Sequence, residues 1–481
     1  MMKIKQVTRI SVSDSQVYLL RVPGELEKTP LDAKEKEYIR RQHRRQKEEF
    51  YSFNKFDRFI FVCFLPKSGK KATQLEAARK KGHSVFEVLK SHEADNLSVK
   101  HVEQDDKELL AFAEGFMLST YLFNKYKTKD KPDSRRFELK NLKVVSKTLS
   151  PRELQEVHIL VRANFLARDL VNEPLNGLNA KELSKRISER CRERDVLVEV
   201  MNKTKIESLQ MGGLLAVNKG SIDPPTFTIA EWKPEKYKNR RPFILVGKGI
   251  VYDTGGISLK PARYMEGMKA DMGGAAAVAG AICAMAEAKL PVHVIALIPA
   301  TDNRPHGNAY VPDDVVNMHD GSTVEVVNTD AEGRLILADA LSYAKKYDPE
   351  LVIEASTLTG DAMRTLGHHG AVGMNARASI QLSKMIKTGE EVNERIVEFP
   401  LWDEYDEMLK SNIADIKNVG GSVAGAITAG KFLERFTDYS FIHLDIAGVT
   451  HISKKDSYRG EGATGFGVRL LFRFLQQMIG K

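Results

Sequence analysis

Cysteine is scarce in this chain, which has three, Cys63, Cys191 and Cys283, among 481 residues. Their number is odd, they are far apart in the sequence, and no paired spacing links them. The sequence therefore indicates neither a disulfide framework nor a zinc knuckle. Because free thiols are typical of reducing compartments, we expect a cytoplasmic protein.

Long apolar runs are also absent. No stretch approaches the roughly 20 apolar residues that a membrane-spanning helix needs. The first ten residues, Met1–Ile10, contain no apolar core of signal-peptide length. We therefore expect no membrane partner and no standard export.

The sequence also lacks internal repeats and low-complexity tracts. Its hydrophobic content of 42% is enough for sizeable cores in two or three domains.

The charge balance is basic, with a formal net charge of +9. Its one visible concentration is Arg40–Lys47, inside a predicted helix that also carries several glutamates. Mixed signs favour a solvated helix face. A basic face can bind phosphate without reading bases, but no recognisable DNA-binding motif accompanies this one. The sequence thus argues against nucleic acid as a partner, although it keeps that class open as the main alternative.

Apolar strand patterns alternate with helical patterns in the second part of the chain. The predicted strands lie around residues 243–246, 292–298, 351–353 and 441–446. Alternation of this kind favours a mainly parallel sheet flanked by helices on both faces. The fold class is therefore predicted to be α/β.

A change of pattern near residue 150 predicts two domains. The charged, proline-containing stretch Lys127–Arg136 and the strand-like Leu142–Val145 come just before it. Apolar residues at helical spacing then predict a long helix. We predict a smaller N-terminal α/β domain, a linking helix and a larger catalytic domain, with limits at 1–150, 151–171 and 172–481.

Two carboxylates and an arginine occupy alternate positions in the segment NTDAEGRL, residues 328–335. Asp330, Glu332 and Arg334 follow a strand-like segment and precede apolar residues at helical spacing. Ligands of open α/β sheets bind outside the carboxyl ends of strands, so we expect this trio to face a crevice. The alternative is a solvated turn with a helix N-cap.

Further chemistry-bearing residues follow two upstream segments. Lys248, Asp253 and Lys260 come after the buried-type strand at 243–246, and Asp271 precedes a helix of small residues. Together with Asp330 and Glu332 they form a ligand set suited to two divalent metals, because carboxylates offset the charge of paired cations. Oxygen donors favour magnesium or manganese, whereas a lysine nitrogen leaves zinc open. For Lys248 alone, a surface salt bridge is the commoner interpretation, since a lysine ligand must lose its proton.

In combination, these motifs resemble the leucine aminopeptidase family of dinuclear zinc exopeptidases. The resemblance covers most of the C-terminal two-thirds of the chain. It is carried by VGKGIVYDTGGISLK at 246–260, MKADMGGAAAV at 268–278, NTDAEGRL at 328–335, ASTLTG at 355–360, HLDIAG at 443–448 and GATGFGV at 462–468. ARDLVNEP at 167–174 looks like the segment that opens the family's catalytic domain. The first hundred residues are only loosely similar.

The resemblance implies a role for each residue of the metal centre. Asp253 and Glu332 would bridge two metals. Lys248 and Asp271 would complete the tightly held ion, and Asp330 the exchangeable one. Zinc is expected, with manganese, magnesium or cobalt possible at the exchangeable position. Arg334 would anchor a bicarbonate that acts as general base, and Lys260 would polarise the scissile carbonyl; an arginine fork suits a planar anion.

The resemblance also implies the substrates and the assembly. Peptides would lose N-terminal leucine or another apolar residue, and the enzyme would be a cytoplasmic homohexamer. The implied substrate-binding residues, which carry no charge, are Met268, Asn328, Thr357, Leu358, Gly360, Ala447 and Thr450.

Three competing interpretations are weaker. Gly420–Ala424 approaches the Gly-x-Ser-x-Gly elbow of serine hydrolases but lacks its last glycine. Leu65–Lys71 lacks the first glycine of a phosphate-binding loop, and neither His368 nor His369 has a partner at ligand spacing. A catalytically inactive relative is disfavoured because all seven expected ligand and catalytic positions are intact. A family member that binds nucleic acid, with or without peptidase activity, is the remaining alternative.

Overall fold

The computed structural model describes residues 2–128 and 139–480. By its internal contacts the chain forms two compact units. The first unit comprises the residues up to Arg162 with Glu391–Asn393 and Lys455–Gly460, and the second comprises the rest. The domain limits proposed above stay predictions, and part of the stretch at 127–136, residues 129–136, lies outside the described residues.

A six-stranded sheet forms the centre of the first unit. Its strands are β1 Lys3–Val7, β2 Ser15–Leu20, β3 Phe50–Asn54, β4 Phe59–Phe64, β5 Asn96–His101 and β6 Asn141–Val145. Their order is β1-β6-β5-β2-β4-β3, and only the edge pair β3–β4 is antiparallel. The helices are α1 Ala33–Gln46, α2 Lys71–Leu89, α3 Asp106–Leu118 and α4 Pro151–Asn172, whose last part belongs to the second unit.

The apolar strands of the first unit explain its core. Leu20, Ile60, Val62 and Phe64 are buried together with Ile39 of α1.

Helix α1 begins directly after Asp32, whose side chain caps it. The Asp32 carboxylate accepts a hydrogen bond from the Glu35 amide, and the Glu35 carboxylate accepts one from the Asp32 amide. The basic segment at 40–47 therefore falls mainly in a regular helix, and Arg40 there forms an ion pair with Glu27.

A nine-stranded sheet organises the second unit. Its path is β16-β15-β18-β14-β9-β11-β8-β7, with β10 paired to β11. The strands on it are β7 Leu197–Met201, β8 Thr226–Trp232, β9 Phe243–Gly247, β10 Gly249–Asp253, β11 Val294–Asn303, β14 Leu351–Ser356, β15 Ala371–Ala376, β16 Ile396–Glu398 and β18 Phe441–Asp445. The central strands β18, β14, β9 and β11 are parallel to one another. The predicted α/β class with a mainly parallel sheet is confirmed.

Two small sheets and ten α-helices complete the described part of the chain. The small strands are β12 Val315–Asn317, β13 Thr323–Glu325, β17 Ile416–Lys417, β19 His451–Asp456 and β20 Gly460–Ala463. The helices are α5 Ala180–Arg192, α6 Lys203–Ser208, α7 Gly212–Asn218, α8 Ala262–Met265, α9 Gly273–Glu287, α10 Glu332–Ala344, α11 Gly360–Leu366, α12 Ser379–Val392, α13 Gly425–Glu434 and α14 Val468–Ile479. None of the described helices is long and apolar enough to cross a membrane.

The sequence explains how helices cover the central strands so closely. Every residue of β9 is buried, as expected for a parallel strand covered on both faces. Helix α9 consists largely of alanine and glycine and is buried along nearly its whole length. Small residues let its backbone approach the sheet. Helix α10 is buried over all its residues, although it begins with Glu332 and contains Arg334, so its charged first turn lies inside the protein.

Candidate active site

The predicted ligand residues converge at the carboxyl ends of the central strands. Lys248 directly follows β9 and Asp253 ends β10. Asp271 follows a short turn before α9, and Glu332 is the first residue of α10. Asp330 lies two residues before α10. This is the sheet edge at which open α/β folds bind ligands, and the alternative of a solvated turn fails because Glu332 is 2% exposed.

Lys248 lies at the centre of one half of the cluster. Its Nζ is 2.8 Å from Asp271 Oδ1 and 2.9 Å from Glu332 Oε1, and it donates to the Thr357 carbonyl at 3.0 Å. Burial alone would lower the pKa of this ammonium, but the surrounding carboxylates outweigh burial and raise it. Lys248 is therefore held as a cation, and it can serve as a metal ligand only if metal binding displaces its proton.

Lys260 pairs with the other half of the cluster. Its Nζ is 2.8 Å from Asp253 Oδ2 and 2.5 Å from Asp330 Oδ1. Burial lowers its pKa, but the neighbouring carboxylates, Asp253 first, raise it more, so the net shift is upward. Lys260 thus keeps its proton and presents a positive group to this side of the site.

The carboxylates outnumber the cations that neutralise them. Asp253, Asp330 and Glu332 each offer an oxygen within 4.8 Å of the others, so these three alone could hold an ion. Burial raises the pKa of Asp330 to about 7 and that of Asp271 well above its ordinary value, and like charges add to both shifts. Such crowding is costly without more positive charge.

The donor atoms fit divalent metals. Asp271 Oδ2 and Asp330 Oδ1 are buried and accept no hydrogen bond from the described residues, although a lysine ammonium is near each. Four carboxylates facing two ammonium groups leave negative charge that dications would offset. Lys248, Asp253, Asp271, Asp330 and Glu332 together supply the mixed oxygen and nitrogen donors that zinc or manganese accepts.

Arg334 stands apart from this cluster. Its Nη1 donates to the Asn418 carbonyl at 2.7 Å, and among the described residues its buried Nε has no hydrogen-bond partner. Burial lowers its pKa to about 10, so the guanidinium stays charged at neutral pH. No ion pair of the described residues includes it. A buried cation with a free donor is a binding group for an anion.

Three of the predicted substrate-binding residues are linked directly to the cluster or lie next to it in the chain. The Thr357 hydroxyl donates to Asp271 Oδ1 at 2.9 Å, and Met268 opens the turn that leads to Asp271. Asn328 Oδ1 accepts from the Asp330 amide at 2.8 Å. The other four predicted residues follow strand β14 or strand β18 in the chain: Leu358, Gly360, Ala447 and Thr450.

Asp445, which the sequence reasoning missed, joins two of these loops. Its carboxylate accepts from the Thr359 hydroxyl at 2.6 Å and from the Leu358 and Ala447 amides at 3.2 Å each. Thr359 in turn caps α11, which begins at Gly360. The signal was available, because Asp445 is an acidic residue at the carboxyl end of a buried parallel strand.

Asn303 is a second residue that was missed. It ends β11, is fully buried, and donates from Nδ2 to Asp253 Oδ1 at 2.8 Å and to the Thr329 carbonyl at 3.0 Å. It therefore holds the Asp253 carboxylate and the loop before Asp330 in one arrangement. Hydrogen bonds of this kind orient ligating carboxylates.

Three glycines give the site a close-packed floor. A Cβ added at Gly333 would lie 2.4 Å from Lys248 Cε, and one at Gly274 would lie 1.9 Å from the Ala355 carbonyl oxygen. At Gly273 it would lie 2.2 Å from Thr450 Cγ2. Lys248, helix α9 and Thr450 can occupy their positions only because these side chains are absent.

A buried sheet-edge cluster of acidic residues and lysines has the composition of a divalent-metal site, as in metal-dependent hydrolases. Over residues 165–472 the sequence matches the catalytic domain of the cytosol aminopeptidase family. The chain belongs to that family, so it is a metal-dependent aminopeptidase, and the resemblance drawn from the motifs is confirmed.

Relatives and solved structures agree with this assignment. A probable cytosol aminopeptidase of Chloroherpeton thalassium is 44% identical over 402 residues, covering 80% of this chain and 77% of the relative. A tomato leucine aminopeptidase mutant has a TM-score of 0.87 at 26% identity, covering 99% of this chain and 97% of that one. The bottromycin maturation enzyme BotP in complex with Mn has a TM-score of 0.85 at 28% identity, covering 97% and 100%.

Proposed function

We propose that this protein is a two-metal aminopeptidase that releases N-terminal leucine or another apolar residue from peptides. The observation that supports it most directly is the excess of buried carboxylate over ammonium at one sheet edge, where four carboxylates share the ammonium groups of Lys248 and Lys260. A nucleophilic serine is not required, and Ser422 of the weak elbow motif lies in an exposed loop.

Five side chains would hold the two metals. In this proposal Asp253 and Glu332 would contribute to both metal sites, Lys248 and Asp271 would belong to one of them, and Asp330 would belong to the other. Bound divalent metals supply Lewis acidity and lower the pKa of water. We propose zinc, with manganese, magnesium or cobalt at the second site, because carboxylate oxygens accept all of them. The structurally similar enzyme BotP forms a complex with Mn.

Lys260 and Arg334 would act on the substrate and on the proton of the attacking water. Lys260 keeps its ammonium proton and would donate a hydrogen bond to the carbonyl oxygen as negative charge develops on it. Arg334 would hold a bicarbonate ion, whose chemistry is to accept the proton of the water. The free Nε of Arg334 supports this role, because a guanidinium fork binds a planar anion through parallel hydrogen bonds.

Selectivity for the chain end would arise next to Asp271. The amino group of a peptide would approach this carboxylate, and an internal peptide bond has no such group. Met268, Thr357, Gly360, Ala447 and Thr450 would line the first-residue pocket, with Asn328 and Leu358 in the adjoining loops. Because none of these residues carries charge, the pocket would favour apolar side chains over acidic or basic ones.

The assembly and location are proposed on the family resemblance. We propose a cytoplasmic homohexamer that acts on peptides, and the relative from Chloroherpeton thalassium is named a cytosol aminopeptidase. Sedimentation of an active protein as a stable monomer would contradict the hexamer. Nucleic acid is not proposed as a partner.

One assay tests the activity and the metals together. Purified protein is incubated with a panel of aminoacyl amides while its metal content is measured in parallel. We expect activity on leucine and methionine amides, its loss after chelation, and its return with zinc, manganese or cobalt. Full activity in metal-free protein would overturn the mechanism. Higher kcat/KM for acidic or basic first residues would overturn the pocket assignment.

A further inference from the structure

Two of the three cysteines lie in contact. Cys191 in α5 and Cys283 in α9 are 92 residues apart in the sequence, yet their Sγ atoms are 3.6 Å apart. The sequence reasoning found no pair because the residues are distant along the chain. Both thiols are buried, with 0% and 2% exposure, and all three cysteines are free. Cys63 is buried in β4 of the first unit.

The two helices are already tied together around this contact. Arg194, just after α5, forms a 2.9 Å ion pair with Glu287, the last residue of α9. A disulfide bond requires an S–S separation of about 2.05 Å, so the sulfurs would have to approach by roughly 1.5 Å. Rotation of two side chains with a small helix shift can supply this, because neither thiol is held by any partner other than its neighbour among the described contacts.

The surroundings favour thiolate formation on one member of the pair. The contact with Cys191 lowers the pKa of Cys283 by more than burial raises it, and Arg194 and Arg190 contribute to the lowering. The same contact raises the pKa of Cys191. Burial raises the pKa of Cys63 to about 12, so Cys63 is the unreactive member of the three. Positive neighbours stabilise a thiolate, and because both sulfurs are buried, an oxidant reaches them when the two helices open locally.

We propose that Cys191 and Cys283 form an oxidative cross-linking site, at which hydrogen peroxide converts the two thiols into a disulfide between α5 and α9. The Cys283 thiolate attacks one peroxide oxygen, the O–O bond breaks, and with a proton the products are a sulfenic acid and water. The Cys191 sulfur then attacks the sulfenic sulfur, the S–O bond breaks, and a second water leaves. Two thiols are oxidised and one peroxide is reduced. A thiol reductant reverses the cross-link.

The test is oxidation of the folded, full-length protein by dilute peroxide, followed by intact mass and peptide mapping without reduction. We expect a monomer lighter by two hydrogen atoms and one linked peptide pair containing Cys191 and Cys283. The linked form should also melt a few degrees higher, roughly 2–4 °C, because a cross-link restricts the unfolded chain. Reductant should restore the original mass and melting temperature.

Three alanine variants test which cysteines form the cross-link. Cys63→Ala should cross-link like the natural chain, whereas Cys191→Ala and Cys283→Ala should not. If either of those variants fails to fold, the peptide map of the natural chain still decides. Three free thiols after peroxide treatment, a dimer linked between chains, a linkage through Cys63, or stable oxygen addition at Cys283 without a link would each overturn the proposal. The outcome is independent of aminopeptidase activity.

Discussion

Two buried charge clusters, one in each unit, differ in how completely their charges are matched. In the first unit Glu108 contacts Arg21 at 2.8 Å, Lys71 at 3.1 Å and His101 at 2.9 Å. Burial alone would raise the pKa of Glu108. Hydrogen bonds from these three groups lower it by more, so that the net pKa is about 2. In the second unit the carboxylates outnumber the lysines, and the pKa values of Asp271 and Asp330 are raised instead.

The direction of these pKa shifts separates a structural cluster from a binding cluster. A carboxylate whose pKa is lowered is already stabilised by its neighbours, so it contributes to folding. A carboxylate whose pKa is raised is short of positive charge, so it gains when a cation binds. The cluster around Glu108 is complete as it stands. The cluster around Glu332 would be completed by the metals proposed above.

The largest effect is expected for Glu332→Ala, which removes a proposed bridging ligand. Bound metal and turnover should be lost together, because the remaining carboxylates cannot neutralise two cations. Metal analysis and kinetics on the same preparation measure this. Glu325→Ala, in β13 outside the cluster, is the control and should keep its metal. Full metal content in Glu332→Ala would remove this residue from the ligand set.

Arg334→Ala should impair the enzyme in a different way from Glu332→Ala. It should keep both metals and the fold while turnover falls by about 10²–10⁴-fold, since only the anchor of the general base is lost. Added bicarbonate should rescue it poorly, and Arg334→Lys should be intermediate at best because a lysine lacks the fork. Loss of metal, or turnover equal to that of the natural chain, would contradict the assignment.

Glu108→Gln should affect stability and leave the metals in place. The lowered pKa of Glu108 stabilises the folded state above the unfolded value of 4.5, and this contribution disappears as pH falls from 4.5 towards about 2. The shift corresponds to about 3 kcal/mol at neutral pH. Denaturant unfolding should show a large difference from the natural chain at pH 7 and a difference less than about half as large at pH 3.

A control for this comparison lies in the same unit. Glu49 pairs with Lys81 at 3.0 Å but is 53% exposed, so Glu49→Gln should cost less than about 1 kcal/mol. Equal destabilisation by the two substitutions, or an effect of Glu108→Gln that is as large at pH 3 as at pH 7, would show that the cluster is not stabilised by its charges.

The smallest effect is expected for Asn303→Leu. The substitution leaves Asp253 unchanged but removes the Asn303 side-chain amide that orients its carboxylate. Metal affinity should therefore fall about 10–100-fold. Competition with a coloured chelator measures the affinity directly. Thr301→Val, at a buried position of the same strand, is the control and should bind metal normally. Unchanged affinity in Asn303→Leu would make Asn303 a purely structural residue.

The parts of the site that could be predicted carry their own local signal. Asp330, Glu332 and Arg334 alternate within one short segment at a strand-to-helix transition, and the parallel sheet follows from continuous apolar runs such as 243–246. Lys248 and Asp271 joined the predicted ligand set by their positions after a strand and before a helix, and the family resemblance then gave each its particular role. A lysine after a strand is, on its own, consistent with many environments.

The remaining features depend on contacts between residues that are far apart in the sequence, and no local sequence pattern encodes such contacts. Asn303 is one amide at the end of an apolar strand, and its importance lies in a contact with a loop 26 residues away. Cys191 and Cys283 meet because α5 and α9 pack together. The extension of the first unit to Glu391–Asn393 and Lys455–Gly460 likewise arises from tertiary contacts of segments distant in the sequence.

The glycine floor bears on how this enzyme could acquire new substrates. A single added methyl group at Gly273, Gly274 or Gly333 would collide with Thr450, the Ala355 backbone or Lys248. Laboratory evolution therefore has little freedom beneath the reacting groups. Changes of substrate range would have to accumulate at positions other than these three glycines, and libraries that spare the glycines should retain far more active members.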